Sequence, residues 1–365
     1  SLKDVYYPGS ATSWKSVEIE DGNDVLERWA TIHTFADTDR LGGAARVQTS
    51  ILAAEAMKEE LGLDKFYDII LANAWDFPDA LSGSYLAAKK QAPIILLDEA
   101  NPEPSIDYIK NNLIYHGSIY ILGGEAAISG EIEDILYEWA LTNHSYRCFF
   151  RLAGPTRYET NLAILDAADV DRQTTLLIAD GNNYADSLSA SSTGLPILMV
   201  DETLSDAQIE WLEKHKFNDY VILGGYQAVV TEVEEETKTA VLGQDGMNQG
   251  HEPTATSEDM NTSGGPDDVN VRRIAGPTRY ETSALIAKEF FPDSNQAMLA
   301  YAWNFPDALS GGPLAYTCGC PILLTGGGNT ETAKAYLKSQ SVKKVYCMGG
   351  NSLISDGELA SIAGD

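Results

Sequence analysis

The sequence predicts an α/β protein of three tandem Rossmann-like modules, each built on a parallel sheet. One ten-residue motif occurs three times, and the same landmarks follow each copy in the same order. The copies begin at Arg40, Arg151 and Arg273, which are 111 and 122 residues apart. These periods exceed the roughly 20–50 residues of a solenoid unit and are close to the size of a small α/β domain. We therefore read three copies of one module.

Three further landmarks define each copy. An apolar run and an Asp-Ala/Ser-Leu-Ser segment follow the motif, then a Pro-Ile strand, then a double glycine. The segments that end in Asp-Ala/Ser-Leu-Ser occupy 72–82, 179–189 and 300–310, the Pro-Ile strands 93–97, 196–200 and 321–325, and the double glycines 123–124, 224–225 and 349–350. A constant order of landmarks repeated three times is not expected by chance.

Periodicity predicts the elements within a module. An amphipathic helix over 46–61 follows the first motif, with Ile51, Leu52, Ala56 and Leu61 near one face. The next run is continuously apolar, as is typical of a strand buried on both faces of a parallel sheet. A second strand, a second helix, a third strand and a final helix complete the unit. Examples are strands 69–72, 175–179 and 220–223 and helix 205–214.

Polar residues mark the helix starts. The turn after the first strand ends in an aspartate placed where a helix N-cap would accept a backbone N–H. These aspartates are Asp79, Asp186 and Asp307. The pairs Thr231 with Glu234 and Ser355 with Glu358 have capping-box spacing before the last helix. Strands alternating with such helices give right-handed βαβ crossovers and an open parallel sheet.

The repeats divide the chain into five parts. An N-terminal extension covers 1–38, and the modules cover 39–145, 146–242 and 272–365. An acidic linker, 243–271, separates modules two and three; it has six acidic residues and no lysine or arginine. Such a composition cannot bury enough apolar surface to order itself, so we expect a solvated loop.

Four motifs together resemble the cell wall-binding repeat type 2 family of Gram-positive surface proteins. They are Arg-x-Ala-Gly-Pro-Thr-Arg-Tyr-Glu-Thr in copies two and three, Asn-Phe-Pro-Asp-Ala-Leu-Ser at 304–310, Pro-Ile-Leu-Leu at 321–324, and Leu-Gly-Gly at 122–124 and 223–225. The resemblance covers about residues 39–365. It implies modules packed around a pseudo-threefold axis, and a non-enzymatic anchor on the cell surface that binds an anionic wall polymer such as a polysaccharide or teichoic-acid-like chain.

Copy one departs from the motif at five positions. They are Gly42, Ala44, Ala45, Val47 and Gln48, where the other copies have Ala, Pro, Thr, Tyr and Glu. Arg46 and Thr49 are retained. We therefore expect the departure to affect local packing more than charge.

Composition limits the partners. The chain has 365 residues and 44% apolar content, which excludes a disordered protein. Its net charge of −29 excludes non-specific binding to nucleic acid or an anionic membrane, because both need a basic footprint. No apolar run approaches the roughly 20 residues that cross a bilayer. The chain starts at Ser1 without a signal peptide, so we expect any export signal to have been removed or excluded.

Binding of an anion by so acidic a chain requires local positive sites. Arg46, Arg157 and Arg279 fall beside a predicted helix start, where unpaired N–H groups and the helix dipole also favour an anion. A guanidinium binds phosphate or carboxylate through two parallel N–H bonds. The threonines three residues later, Thr49, Thr160 and Thr282, belong to the same candidate site.

Structural roles are the alternative for these residues. For Arg46, Arg157 and Arg279, an ion pair that bridges modules is as well supported as ligand contact. Arg40, Arg151 and Arg273 are secondary candidates for which fixing the entering strand is favoured. Asp79, Asp186 and Asp307 are also secondary candidates. With Asp76, Asp180, Asn183 and Asn304 they leave a minority calcium-binding interpretation open.

Cofactor and metal signals are weak. The double glycines lack the rest of a Gly-x-Gly-x-x-Gly or Gly-Lys-Ser/Thr motif, so a phosphate loop is disfavoured. Cys148, Cys318, Cys320 and Cys347 are interpreted as small buried hydrophobes rather than a disulfide or soft-metal pair. The five histidines, His33, His116, His144, His215 and His251, fit no zinc-ligand spacing. We expect neither a metal centre nor a cofactor.

The working hypothesis is a monomeric, trivalent, non-catalytic wall anchor. Acid pairs such as Asp76 and Asp79 could serve a glycosidase, but no Ser-His-Asp or Cys-His set recurs, and three equivalent sites suit avidity better than catalysis. The main alternative is a surface-layer module for self-assembly or adhesion. A fragment of a wall hydrolase is a weaker alternative.

Overall fold

The computed structural model describes residues 3–10, 14–19, 23, 26, 30–143, 147–242 and 270–364. The predicted linker lies outside the described residues up to position 269, as do His144 and His251. In the N-terminal extension, strands β1 (Asp4–Ser10) and β2 (Thr31–Phe35) form a two-stranded parallel sheet. No helix in the described ranges is both long and apolar enough to span a membrane.

The rest of the described chain forms three α/β units in the predicted order. The first elements are β3 (Asp37–Leu41), α1 (Arg46–Leu61), β4 (Phe66–Asn73), α2 (Pro78–Lys90), β5 (Ile94–Leu97), α3 (Glu103–Asn112), β6 (Leu113–Leu122) and α4 (Gly130–Thr142). The second set is β7 (Cys148–Leu152), α5 (Arg157–Ala167), β8 (Thr175–Asp180), α6 (Ala185–Ala190), β9 (Ile197–Val200), α7 (Asp206–Lys214), β10 (Asp219–Leu223) and α8 (Thr231–Leu242). The third set is β11 (Asn270–Ile274), α9 (Arg279–Phe290), β12 (Gln296–Tyr301), α10 (Gly311–Cys318), β13 (Ile322–Thr325), α11 (Glu331–Ser339), β14 (Lys344–Met348) and α12 (Asp356–Ala363).

Each module's sheet has four parallel strands, one of which comes from another repeat: the following repeat for the first two sheets and the first repeat for the third. The strand orders are β5-β4-β6-β7, β9-β8-β10-β11 and β13-β12-β14-β3. The strands that carry Arg40, Arg151 and Arg273 therefore join the sheet of another module. For Arg151 and Arg273 this is the preceding module, and for Arg40 it is the third module. The sheets are offset from the sequence repeats by one strand.

The three modules form a closed ring, because the third sheet includes a strand from the start of the repeat region. Strand β3 pairs with β14, with Asp37 opposite Lys344 and Leu41 opposite Met348. The backbone N–H of Ala36 donates to the carbonyl of Ala363 at 3.0 Å. The beginning and end of the three-module ring are thus joined without a covalent bond.

Three aromatic rings meet where the modules converge. Phe77, Tyr184 and Phe305 occupy the same repeat position, and their centroids are 5.3, 5.5 and 6.0 Å apart. Around them α2 packs on α5, α6 on α9, and α10 on α1. The pseudo-threefold arrangement implied by the resemblance is confirmed.

Burial agrees with the predicted strands but not with the predicted face of the first helix. The central strands β4, β8 and β12 are buried on both faces over most of their length. Helix α1 buries Val47, Ser50, Ala54 and Met57, whereas Leu52 is 39% exposed. The predicted face was therefore wrong for Leu52, whereas Ile51, Ala56 and Leu61 are partly buried against the core. Helix α1 packs on both β5 and α10, and its small side chains permit those close contacts.

The N-cap prediction for the repeated aspartates was also wrong. Asp79 and Asp186 are the second residues of α2 and α6, and Asp307 lies in the turn before α10. Neither α2 nor α6 has a side-chain cap, and the polar residue before each N-cap position bonds to the turn instead. Asp76 accepts from the N–H of Phe77 at 3.0 Å, and Asn183 accepts from that of Ala185 at 3.2 Å.

One of the two predicted capping boxes is present and the other is not. Ser355 and Glu358 form the predicted box at α12. A box not predicted from the sequence joins Ser205 and Gln208 at α7. The carboxylate of Glu234 instead accepts from Lys238 and a motif arginine, so tertiary pairing takes precedence over the cap there.

The four cysteines carry free thiols. Cys320 and Cys347 are buried as predicted, and burial raises the pKa of both thiols. Cys318 is half-buried beside the Tyr346 hydroxyl. Cys148 is exposed on β7, an edge strand, so the prediction of burial was wrong for this residue.

Candidate functional site

Arg40, Arg151 and Arg273, here called the strand arginines, are held in structural contacts. Arg151 donates through Nη1 to the carbonyls of Gly123 and Ile128 at 3.0 and 2.9 Å, and its Nε lies 2.8 Å from Glu133. It thereby ties β7 to the double-glycine loop and the next helix of the preceding module.

The other two strand arginines repeat this pattern. Arg273 donates to the carbonyls of Gly224 and Val229 at 2.8 and 3.0 Å and pairs with Glu234 at 3.0 Å. Arg40 makes the equivalent contacts with Gly349 (3.1 Å), Ile354 (2.9 Å) and Asp356 (2.9 Å) across the ring closure. These contacts support the structural interpretation that the sequence favoured.

Arg46, Arg157 and Arg279, here called the junction arginines, are the first residues of α1, α5 and α9. Each donates through Nη1 to a carbonyl just beyond the central strand of its own module, β4, β8 or β12. The acceptors are Ala74 at 2.7 Å, Gly181 at 2.9 Å and Ala302 at 2.7 Å. Each guanidinium thus lies near the carboxyl ends of the strands, the edge where open α/β sheets bind ligands.

The junction arginines also face the preceding module across the ring. Arg157 lies 3.8 Å from Asp76, and Arg279 donates to the Tyr184 hydroxyl at 3.2 Å. Arg46 interacts electrostatically with Asp307. Each junction arginine therefore meets residues of the preceding module, and the three junctions lie around the aromatic triad.

The charge of the junction arginines is incompletely neutralised. Among the described residues, no carboxylate lies within 4.0 Å of Arg46 or Arg279, and Asp76 is the one such partner of Arg157. Burial lowers the pKa of Arg46, while Asp307 and Asp98 act in the opposite direction. A half-buried cation without a contact ion pair is available to an incoming anion.

The repeated aspartates lie behind the junctions, against the double glycines. Burial raises the pKa of Asp79 and of Asp186 to about 6, with the nearby cations Arg157 and Arg279 opposing the shift. A Cβ at Gly123 would collide with the Asp79 carboxylate. The space in which a phosphate loop would hold its ligand is therefore filled by a side chain of the same module.

The three predicted threonines are buried and hold backbone. Thr49, Thr160 and Thr282 are at most 4% exposed. Their hydroxyls accept from the amides of Gly43, Gly154 and Gly276 at 3.0–3.1 Å. Thr49 also donates to Asp307 at 2.8 Å, which links modules one and three. These buried hydroxyls are therefore not exposed to a ligand.

The divergent motif of copy one changes local packing, as expected, and also removes a helix cap. Its Ala45 offers no side-chain cap to α1, whereas Thr156 and Thr278 each accept from a helix amide at 3.2 Å. A Cβ at Gly42 would lie 2.6 Å from the Gly349 carbonyl, so the close approach at the ring closure requires glycine. The guanidinium of Arg46 keeps its position despite these changes.

Two exposed tryptophans beside the junctions were missed in the sequence. Trp75 and Trp303 are 60% and 57% exposed and occupy the same repeat position. The Arg46 guanidinium carbon lies 3.9 Å from the Trp75 ring centroid, and that of Arg279 lies 4.4 Å from Trp303. A tryptophan two residues before each Phe-Pro-Asp was the signal that could have identified them.

Metal-ligating groups do not converge in the part of the chain that is described. Residues 30–143, 147–242 and 270–364, together with the short N-terminal pieces, contain no cluster of three His, Cys, Asp or Glu residues able to hold an ion. Two members of the calcium alternative, Asp76 and Asn183, have oxygens that accept from the amides of Phe77 and Ala185.

The sequence model described as Cell wall binding domain 2 (CWB2) matches the chain three times, at residues 40–133, 151–234 and 273–358. Among curated relatives, the amidase enhancer of Bacillus subtilis (strain 168) is 26% identical over 333 residues, which are 88% of this chain and 39% of that protein. The N-acetylmuramoyl-L-alanine amidase LytC of the same organism is 22% identical over 324 residues, 87% of this chain and 56% of that protein. The chain thus spans about half or less of these relatives.

Two solved structures share the fold. Cwp6 from Clostridium difficile superposes with a TM-score of 0.72 at 20% identity, covering 91% of this chain and 48% of the other. Cwp8 from the same organism gives a TM-score of 0.69 at 25% identity, covering 93% and 53%. The likeness extends over all three modules.

Proposed function

The chain belongs to the cell wall binding domain 2 family, and on that premise we propose that its three cell wall binding modules hold a surface protein non-covalently to an anionic polymer of a Gram-positive wall. The polymer lies along the three junctions and contacts Arg46, Arg157 and Arg279. The protein is accordingly located at the cell surface or in the wall.

One observation carries this proposal: six repeated arginines divide into two groups with different surroundings. Each strand arginine has a carboxylate partner within 3.0 Å and two carbonyl acceptors. The junction arginines have one carbonyl acceptor each and, in the described structure, a single carboxylate neighbour at 3.8 Å. The first group is committed to the fold, whereas the second retains N–H donors for an anion.

Net charge explains why such local sites are needed. At −29 the chain repels an anionic polymer at long range. At about 0.15 M salt the screening length is roughly 8 Å, so distant carboxylates are damped more than a guanidinium in direct contact. Binding therefore depends on short-range contacts at the junctions and not on the overall field of the protein.

Three weak junctions can give firm attachment. Linking binding sites raises apparent affinity by on the order of 10²–10⁴ when one ligand reaches all of them. A polymer can do so because the carboxyl ends of the three sheets lie around one aromatic triad. This geometry favours a trivalent anchor over catalysis, for which three quasi-equivalent sites offer no advantage.

Enzymatic activity is not part of the proposal. The matched amidase and amidase enhancer are longer proteins to which this chain corresponds only in part. The acid pair Asp76 and Asp79 has a local explanation, since Asp76 accepts from the amide of Phe77 just before α2 and Asp79 lies against Gly123.

Co-sedimentation with Gram-positive walls tests the proposal. The variant Arg46→Ala/Arg157→Ala/Arg279→Ala, checked for folding, is compared with wild type on intact walls and on walls stripped of anionic polymer. The matched control is Lys65→Ala/Arg172→Ala/Lys343→Ala, which removes the same charge. These exposed cations precede β4, β8 and β14, at the opposite edge of the sheets.

Binding that is lost on stripping and in the junction variant, but retained in the control, supports the anchor. Equal binding to stripped walls contradicts it. Loss in both triple variants would mean that net charge alone governs attachment. Self-assembly in sedimentation velocity, without wall binding, would favour the surface-layer alternative.

A further inference from the structure

The three junctions differ, and we infer that the Arg279 junction is the principal subsite and binds a sugar unit that carries a phosphate or carboxylate. This inference rests on the proposed function and ranks its sites. It follows from three features of the junction: its aromatic surface, its low content of acids, and a glycine turn that the other junctions lack.

The aromatic surface is formed by Trp303 beside Arg279. The indole Nε1 donates to the Tyr280 hydroxyl at 2.9 Å, and that hydroxyl donates to the Gly326 carbonyl at 2.8 Å. The ring is therefore held in one orientation although it is 57% exposed. An indole fixed at the surface beside a guanidinium presents an apolar ring and a cation side by side.

The other two junctions are less favourable in this respect. Trp75 has a similar place beside Arg46, but its Nε1 donates to a carboxylate, Asp98, at 3.1 Å. At the Arg157 junction the position is Asn182, whose amide donates to Asp201 at 2.9 Å. That junction lacks an indole surface at this position.

The number of acidic residues around the junction arginines decreases from Arg157 to Arg46 to Arg279. Four equivalent positions are compared at each junction: two at the ends of the central strand and the following edge strand of the arginine's own module, and two at or just before the start of α2, α6 or α10 of the preceding module. At Arg157 all four are acids, namely Asp76, Asp79, Asp180 and Asp201. At Arg46 two are acids, Asp98 and Asp307, and at Arg279 there is one, Asp186. An anion therefore meets the least repulsion at Arg279.

A turn of three glycines completes the Arg279 junction. Gly326, Gly327 and Gly328 follow β13 with φ of 85°, 63° and 90°, where the other copies have Asp98 and Asp201 after the second strand. A Cβ at Gly327 would collide with the Trp303 indole, so the turn packs against the ring. Within the described chain, no acceptor is paired with the amides of Gly327 or Gly328, both exposed.

These features match the chemistry of an anionic sugar. The C–H face of a pyranose is apolar and packs on an aromatic ring, while its hydroxyls stay in water. A phosphate or carboxylate on that sugar can then accept from the guanidinium of Arg279 and from backbone amides of the turn. A neutral sugar would leave the cation unused, and a free anion would leave the indole unused.

Fluorine NMR of the full chain labelled with 5-fluorotryptophan tests the subsite directly. The Trp303 and Trp75 signals are assigned with Trp303→Phe and Trp75→Phe, and the probes are glucose 6-phosphate, glucose and inorganic phosphate. We expect glucose 6-phosphate to shift the Trp303 signal at lower concentration than either other probe, and roughly tenfold weaker binding in Arg279→Ala. An unmoved Trp303 signal, or an equal response of Trp75, would overturn the ranking.

Single variants in the wall assay separate this inference from the proposed function. Arg279→Ala and Trp303→Ala should reduce binding most, Arg46→Ala less and Arg157→Ala least, with Trp303→Tyr restoring part of the loss. Equal losses for the three arginines would reject the ranking and leave the anchor intact. Wild-type binding by the triple junction variant would reject the anchor itself.

Discussion

At the residue scale, position in the fold decides what an arginine does. Arg151 and Arg157 lie six residues apart in one motif, yet the first is committed to two carbonyls and Glu133 and the second faces a junction. The difference arises because Arg151 lies within a strand that enters another module's sheet, whereas Arg157 opens a helix at the end of that sheet.

The first glycine of each double glycine is predicted to be essential for stability. Gly123 has φ of +91°, and a Cβ there would collide with Asp79. Gly123→Ala should lower the free energy of unfolding by about 1–3 kcal/mol, measured by urea denaturation. Gly124→Ala is the matched control, because a Cβ there meets no atom within 4 Å. Equal losses for the two variants would contradict this account.

The buried aspartates predict a pH dependence. Burial raises the pKa of Asp79 and of Asp186 to about 6, so between about pH 4 and 6 the native state binds more protons than the unfolded chain. Their contribution is thus fully present below the ordinary pKa and is lost as pH rises through about 6. Asp79→Asn/Asp186→Asn should therefore be more stable than wild type near pH 7.5 and similar near pH 4.

Urea unfolding midpoints of both proteins at the two pH values provide the measurement. Asp64→Asn/Asp293→Asn is the control, since both side chains are exposed. A stability difference between the buried variant and wild type that does not change with pH would show that these carboxyls do not carry the effect.

At the element scale, the motif strand is the part that joins one module to the next. Strand β7 pairs along its length with β6, and β11 pairs with β10 in the same way. Each sheet is therefore completed only when the following repeat is present, so the modules depend on one another for their edge strands.

Because the motif strand lies in the neighbouring module's sheet, we predict that the strand arginines affect stability and the junction arginines affect wall binding. Arg151→Ala should destabilise the fold by roughly 1.5–3 kcal/mol, because it leaves the Gly123 and Ile128 carbonyls and Glu133 without their charged partner. Arg157→Ala should change stability little and act on wall binding. Thermal unfolding and wall co-sedimentation of both variants provide the test, and similar stability losses would contradict the division.

At the scale of the whole molecule, the ring is closed by hydrogen bonds between β3 and β14. The ends of this closure are adjacent, since the Ala36 amide donates to Ala363 at 3.0 Å and the Asp37 amide to Lys343 at 2.8 Å. Arg40 adds contacts across the same boundary with Gly349, Ile354 and Asp356. Because the two ends of the ring are adjacent, the position at which the chain is opened should not determine whether the ring forms.

A permuted chain should consequently fold and bind walls like wild type. It begins at Asn270, runs to Ala363, continues through a short linker at Ala36 and ends at Leu242. Circular dichroism, unfolding midpoints and co-sedimentation measure the outcome. A second permutant opened between Tyr220 and Val221, inside β10, should fail to fold. Failure of the first permutant would show that the ring needs its native connection.

The sequence alone was sufficient for the local features of this protein. The three repeats, the strands buried on both faces, helix α1 from Arg46 to Leu61 and the capping box at Ser355 follow from periodicity and short motifs. These signals are readable because they depend on neighbours within about one turn or one strand. The motif also marked all six arginines, though not their division into two roles.

Tertiary structure decided the features that depend on residues far apart in the chain. The assignment of β3 to the sheet of the third module, the pairing of Arg40 with Asp356, and the hydrogen bond of Arg279 to Tyr184 all arise when separate repeats close into a ring. Tertiary contacts also turned the aspartates from expected caps into half-buried carboxyls beside the double glycines. The physical reason is that burial and charge pairing are set by residues far apart in the chain, many of them across a junction, while a sequence motif describes only its immediate neighbours.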